Sequence, residues 1–208
     1  MHTLGVGAAN PAVAKKIRMQ EIAVAGFIFD VNYIIAGDSL AIAYFRMPWT
    51  VRMKTKALDF MRRKVSITHL LFDEQTRDLL GYFTLAHKPL AISCASMSAT
   101  QRKRVERFSD FDASTGNYMV SAYLIAQIGK NYAAQNGKRV TGAAMLKDVV
   151  DLLKRIQFDI GGQIMFLECE KGNDRLLAFY ASLGFVRFSS RVSKIDGCTY
   201  EQLLYFIR

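Results

Sequence analysis

Three cysteines, three prolines, three histidines and a single tryptophan are spread over 208 residues, and each scarcity removes a class of protein. Cys94, Cys169 and Cys198 form no CxxC pair and are odd in number, which argues against a disulfide scaffold or cysteine zinc site and favours a reducing compartment. His69 and His87 have no partner at metal-ligand spacing, so no metal is expected. Few prolines, 51% hydrophobic and 22% charged residues exclude intrinsic disorder and collagen-like repeats. Long apolar runs are also missing: Ile22 to Phe29 stops at Asp30, whereas a membrane span needs about 20 residues. Lys15, Lys16 and Arg18 follow the mild Gly/Ala-rich start, where a secretory signal would put charge first, so the expected location is the cytoplasm. Acidic residues are the last scarcity. Eighteen Asp plus Glu face 28 Lys plus Arg, and the net charge of +10 favours an anionic ligand or partner without specifying nucleic acid.

What is present reads as one compact α/β domain over 21–208, preceded by a loosely packed arm, 1–20. Strand-like pieces at Ile22 to Phe29 and Val31 to Ile35 are followed by residues 50–64, whose apolar Val51, Ala57, Leu58 and Met61 among basic residues suit an amphipathic helix. Ile67 to Phe72 and Leu79 to Leu85 predict a hairpin. After Pro89 come a short strand from Leu90 to Cys94 and an exposed charged insertion from Gln101 to Phe111. Tyr118 to Ile128 is apolar on both faces, as a central strand is. Met145, Leu146, Val149, Val150, Leu153 and Ile156 follow helical spacing, with Gly161-Gly162 closing the helix. Ile164 to Cys169 then reads as a buried strand. Asn173 to Leu183 reads as a helix capped by Asn173 and ended by Gly184, and a last hairpin turns at Asp196-Gly197.

The chemistry concentrates where the central strand leads into the first long helix, at Arg139-Val140-Thr141-Gly142-Ala143-Ala144. Amides at a helix N-terminus point outward toward anions. Gly142 can take backbone angles closed to other residues, Ala143 and Ala144 leave room for a phosphate, and Lys138 and Arg139 add positive charge. RxxGxA alone does not separate a phosphate loop from a helix that merely begins with small residues; the strand before it and helix after it are the context such a loop requires.

That loop, together with NDRLLAFYASLGF from Asn173 to Phe185, resembles the GCN5-related N-acetyltransferases, whose loop reads Q/RxxGxG/A and whose later helix carries NxxAxxxY followed by GF. Asn173, Tyr180, Gly184 and Phe185 keep the spacing, while Leu176 stands where alanine is usual. The resemblance extends over roughly residues 68 to 208. More faintly, LDFMRR and LLGYFTLA are similar to bacterial members that include tRNA-acetylating toxins. It implies a mixed, mostly antiparallel sheet with one splayed parallel strand pair and helices on both faces. Acetyl-CoA would lie in the splay, its pantetheine on the backbone of Ile128, Gly129 and Lys130 and its pyrophosphate on Val140, Thr141, Gly142, Ala143 and Ala144, with Lys138, Arg139 and Asn173 completing the cofactor-binding set. The Ile128 amide would polarise the thioester carbonyl, and the Tyr180 phenol would donate to the departing thiolate. Further partners it allows are an amine acceptor of unknown identity, tRNA and a second copy of the chain.

No carboxylate lies between Tyr118 and Ile128 to serve as general base. Glu168 and Glu170 are candidates whose alternative is a solvated strand end, and a water chain or a neutral amine would dispense with a base. Cys169 reads as a small apolar core residue, His69 as a sheet histidine, and Trp49 beside Pro48 as packing. His87 is placed facing the substrate mouth. The basic clusters Arg52 to Lys64 and Arg102 to Arg107 are open to RNA phosphates or to solvent. Three functions follow: an N-acetyltransferase of a primary amine, a toxin-like acetyltransferase of aminoacyl-tRNA, and a catalytically silent CoA-binding module.

Overall fold

The computed structural model describes residues 14–18, 59–73, 76, 78–132, 139–194 and 196–207. The expected strands at Ile22 to Phe29 and Val31 to Ile35, most of the helix over 50–64, Trp49 and Lys138 lie outside them; residues 59–62 are helical. One sheet organises the rest. Its strands are β1 (Ala14–Arg18), β2 (Ile67–Asp73), β3 (Leu79–Ser93), the two-residue β4 (Phe111–Asp112), β5 (Asn117–Lys130), β6 (Ile164–Glu170), β7 (Val186–Val192) and β8 (Thr199–Phe206). They run in the order β1-β2-β3-β5-β6-β8-β7, with β4 beside the start of β5. Every pairing is antiparallel except β5 with β6. The α-helices that lie wholly among the described residues are α1 (Ala99–Val105), α2 (Gly142–Ile160) and α3 (Asp174–Ser182).

Two apolar clusters place the helices on opposite faces. Met145, Leu146, Val149, Leu152 and Leu153 of α2 and Tyr180 of α3 pack with Leu71, Phe83, Tyr123, Ile125, Leu167 and Cys169. The spacing of three and four puts those α2 residues on one stripe, so the helix buries it while Lys147 and Asp151 pair at 2.7 Å on the solvent side. On the other face Val105 of α1 packs with Leu90, Ile92, Tyr118, Val120, Ala122, Phe166 and Leu204. Each fully buried aliphatic side chain contributes roughly 1.5 to 3 kcal/mol.

Several expectations change. Residues 14–18 of the supposed arm form a strand, paired from Ala14 with Asp73 to Arg18 with His69. Pro89 does not interrupt: β3 runs through it to Ser93. β2 accompanies β3 only as far as Leu85, so beyond it β3 is an edge on that side among the described residues, where a missing N–H is tolerated. The charged insertion contains a helix, because Ser98 and Gln101 make a capping box and Val105 supplies the buried anchor. Asp196-Gly197 does not form a two-residue turn. It sits in a longer connection, closed by Ser193 N to Cys198 O at 2.8 Å, with Gly197 at φ +71.

A bulge in β5 positions the site. Leu85 pairs with Ile125 but Thr84 pairs with Gln127, so Ala126 is an extra residue. Ahead of it Tyr123 and Ile125 face α2; beyond it the parity inverts and Ile128 packs against that same core.

Candidate functional site

β5 and β6 are hydrogen-bonded over three pairs only, Ala122 with Ile164, Tyr123 with Met165 and Leu124 with Phe166. β5 then continues to Lys130 and β6 to Glu170 without pairing. The bulge follows at once, and because a bulge bends its strand and increases its twist, it accounts for the parting. The facing strand edges beyond it can bind an extended ligand carrying amides.

The N-terminus of α2 stands at the mouth of this splay. Thr141 caps it, accepting from the Ala144 amide at 3.0 Å, and its carbonyl takes the Met145 amide at 3.1 Å. The amides of Gly142 and Ala143 have no acceptor among the described residues. They are the outward donors that a pyrophosphate would use. Gly142 has no positive φ, contrary to the expectation of unusual backbone angles; its missing side chain matters because a Cβ would stand 3.1 Å from the Phe179 ring. The glycine thus lets α2 start against α3. Val140 is buried in the core just before it.

Arg139 has a different setting from the expected phosphate clamp. Its guanidinium pairs with Asp73 and with Asp78 at 2.6 Å and donates to Thr76 at 2.9 Å, bracing the β2–β3 connection against the start of α2. Asp73 is 2% exposed. Thr76 and Arg139 hydrogen bonds hold the Asp78 carboxyl below its ordinary range. Asn173 caps α3, accepting from Leu176 N at 3.1 Å, while Lys130 sits 5.3 Å from the Tyr132 ring centroid.

Tyr180 lies in the core beneath the splay, its ring between Phe179 at 5.3 Å and Phe185 at 5.6 Å. Its hydroxyl makes no hydrogen bond among the described residues, and burial, with the Cys169 thiol nearby, pushes its pKa up to about 12. Cys169 is buried and its thiol is likewise raised by burial, then by Glu170 and Glu201. Sequence reasoning missed Glu201. It is buried opposite Cys169 in β8, with Arg187 Nε 2.5 Å from Oε2 as an ion pair lacking hydrogen-bond alignment.

Of the two candidate bases, Glu168 is engaged by Arg191 through Nε at 2.5 Å and through Nη2, and by Gln202 at 2.8 Å. Burial alone would raise its carboxyl, but these bonds outweigh burial and hold it below the ordinary range. That makes it a poor proton acceptor near neutral pH. Glu170 is exposed. His87 does not face the splay: it pairs with Tyr123, five residues before Ile128 and so roughly 16 Å away along the strand, and bonds Ser121 at 3.0 Å. His69 is buried and stacked on Phe83 at 4.8 Å. Among the described residues no group of three or more His, Cys, Asp or Glu could hold a metal, and no helix is long and apolar enough to cross a membrane.

No protein-family model and no curated protein matches the chain by sequence. Solved structures do match it. AtaT complexed with acetyl-methionyl-tRNAfMet is 15% identical with a TM-score of 0.53, covering 75% of this chain and 79% of that one. AtaTR bound with acetyl-CoA is 15% identical with a TM-score of 0.51, covering 79% and 83%. The spermidine/spermine N-acetyltransferase SpeG from Vibrio cholerae, in mutant form, is 12% identical with a TM-score of 0.50, covering 93% and 95%. The chain has the fold of the GCN5-related N-acetyltransferases, a mixed sheet with one parallel pair and helices on both faces.

Proposed function

We propose that the protein is an acetyl-CoA-dependent N-acetyltransferase that transfers acetyl to a primary amine by direct attack on the thioester. The observation that carries this reading is the β5–β6 splay, which opens after three pairs beside the start of α2, where the amides of Gly142 and Ala143 have no acceptor among the described residues. Acetyl-CoA, when bound, supplies the activated acetyl group. The backbone of Ile128, Gly129 and Lys130 holds the pantetheine as an added strand would be held, and the first turn of α2 holds the pyrophosphate. The Ile128 amide stabilises the oxygen on which negative charge develops. Tyr180 stays protonated throughout the neutral range and donates to the departing sulfur. Cys169 remains a thiol, so no covalent acyl step is assigned to it.

The test combines calorimetry of acetyl-CoA binding with a turnover screen against spermidine, a peptide α-amine and methionyl-tRNA. Binding with turnover of one acceptor supports the reading. Binding without turnover identifies a silent CoA module, and no binding overturns both.

Aminoacyl-tRNA is the second acceptor class, favoured by the net charge of +10 and by the acetyl-methionyl-tRNAfMet with which AtaT is complexed. Lys103 and Arg107 on and just after α1, with Arg62 and Arg63, offer exposed cations. Arg104 is otherwise engaged: it lies 4.3 Å over the Phe206 ring and donates to Ile207 O at 3.3 Å. With about six phosphate contacts, affinity for tRNA should fall by orders of magnitude between ~50 and 200 mM salt. Neutralising Arg62 and Lys103 should flatten that slope, whereas absence of tRNA binding at low salt excludes this acceptor.

A further inference from the structure

The last turn of α2 carries side chains that a free helix end has no use for. Phe158 is 92% exposed and Ile160 70% exposed, whereas the other exposed positions of α2 from Lys147 onward are Lys147, Lys154, Arg155 and Asp159. Asp159 stands where the helix dipole is negative, and no basic residue occupies that turn to offset it. One helical turn before it is Arg155. Lys147 and Asp151, with the same spacing and the same order of charge, pair at 2.7 Å, but Arg155 and Asp159 make no ion pair among the described residues. Single apolar side chains on a surface are ordinary; an aromatic and an isoleucine beside two opposite charges that do not meet are not.

The sheet beneath continues this surface. The Tyr123 hydroxyl donates to Gly161 O, which fixes the end of α2 above Tyr123. Two and four residues earlier on β5, Ser121 and Met119 face the same way as Tyr123, opposite Pro89 and Ala91 of β3. All four are exposed, Met119 by 55%. The reverse face of the same ribbon is buried with α1 through Leu90, Ile92, Tyr118 and Val120. Past its last turn, α2 therefore leaves the ribbon bare on one side among the described residues.

We propose that the end of α2 and this bare ribbon bind a second copy of the chain about a two-fold axis. Charge selects that occupant. A two-fold contact uses the same patch on both copies, so the patch has to be complementary to itself. An antiparallel mate turned about an axis level with position 157, midway between Arg155 and Asp159, sets Arg155 of each copy opposite Asp159 of the other. The two ion pairs form together. The Phe158 rings lie side by side next to the axis, where the anchors of a contact concentrate, and each Asp159 gains a cation at the negative end of its helix. The mate's helix runs on past Ile160 along the ribbon and Met119, which extends the contact beyond one pair of helix ends. A lipid surface or a partner of one charge sign would satisfy only one of the two groups. The inference does not rest on the acetyltransferase reading, because its residues lie away from the splay, at the other end of α2 from Gly142.

Sedimentation velocity of the full chain over a concentration series tests it. Wild-type protein should sediment as a dimer, and Phe158→Glu should raise the dissociation constant about 30-fold or more, as loss of a central anchor does. Arg155→Glu and Asp159→Arg should each associate more weakly than wild type, since each sets like charges across the axis twice. Mixed together, the two variants should recover a dimer, because each supplies the charge that the other lacks; a dimer formed elsewhere on the chain predicts no such recovery. All three positions are exposed, and thermal melts check that the fold is kept. A wild-type chain that stays monomeric at about 100 μM overturns the proposal. So does a dimer unmoved by Phe158→Glu or by the charge variants, or a mixture that stays apart. A monomer that pellets with phosphatidylcholine and phosphatidylserine vesicles, and ceases to do so in Phe158→Glu, assigns the patch to a lipid surface and overturns it likewise.

Discussion

Replacing Tyr180 by phenylalanine separates a proton donor from a core aromatic. The ring packs against Phe179 and Phe185 in either case, and the hydroxyl that is removed has no hydrogen-bond partner among the described residues. Deleting a hydroxyl that has no such partner and is not among the fully buried unpaired polar atoms costs little stability, so the melting temperature should hold. Turnover should behave differently. A general acid contributes about 10² to 10⁴-fold, equivalent to ~2.7 to 5.4 kcal/mol of barrier, and the loss should fall on kcat with acetyl-CoA affinity unchanged. A phenol raised to about 12 is a weak acid against a free thiol near 8.5, but Cys169 beside it gauges the setting: burial raises that thiol too, and a thiolate leaving into the same environment is correspondingly more basic. Turnover should therefore show no descending limb from Tyr180 below about pH 11. Release of free thiol, followed spectrophotometrically across pH beside thermal melts, is the assay. Wild-type kcat in Tyr180→Phe returns the residue to the core, and a fall in melting temperature matching the lost activity refutes the separation of roles.

Arg139→Ala removes the Arg139 guanidinium from the buried Asp73 carboxylate and should destabilise by up to roughly 3 to 5 kcal/mol in urea unfolding; a loss under about 1 kcal/mol would show that its other partners suffice. Gly142→Val drives its side chain into Phe179 and should separate the start of α2 from α3, weakening acetyl-CoA binding by calorimetry while a shift in melting temperature reports the packing strain; unchanged affinity removes the loop from the site. In the folded state Tyr180 is raised above its unfolded value near 10, so its contribution to stability is fully present below about pH 10 and disappears as pH rises through about 12. Urea midpoints should fall over that window, less steeply in Tyr180→Phe, and equal slopes would refute the assignment.

Much of this architecture is legible in the sequence because burial writes periodicity. The stripe from Met145 to Leu153 and the doubly apolar β5 announce their neighbours, and Asn173 announces its cap through side-chain chemistry alone. Non-local pairing leaves no such trace. That Arg139 meets Asp73 and Asp78 depends on the β2–β3 connection reaching α2, and that Glu168 is held by Arg191 depends on β6, β8 and β7 lying side by side. α1 was hidden for another reason: seven residues, three of them basic, bury one anchor, Val105, which composition cannot weigh against so much charge. The bulge at Ala126 is likewise invisible, since register shifts arise from both strands together, yet it decides which face Ile128 and Gln127 occupy.

The parting of β5 and β6 also makes the sheet two leaves on a narrow hinge. Thirteen residue pairs join β3 to β5 and seven join β6 to β8, but three join the leaves to each other. A ligand lodged between the free edges completes the missing stretch and fastens one leaf to the other. Stability then depends on ligand concentration, rising as the logarithm of one plus free ligand over its dissociation constant, and hydrogen exchange at residues 126–130 and 167–170 should slow as ligand is added.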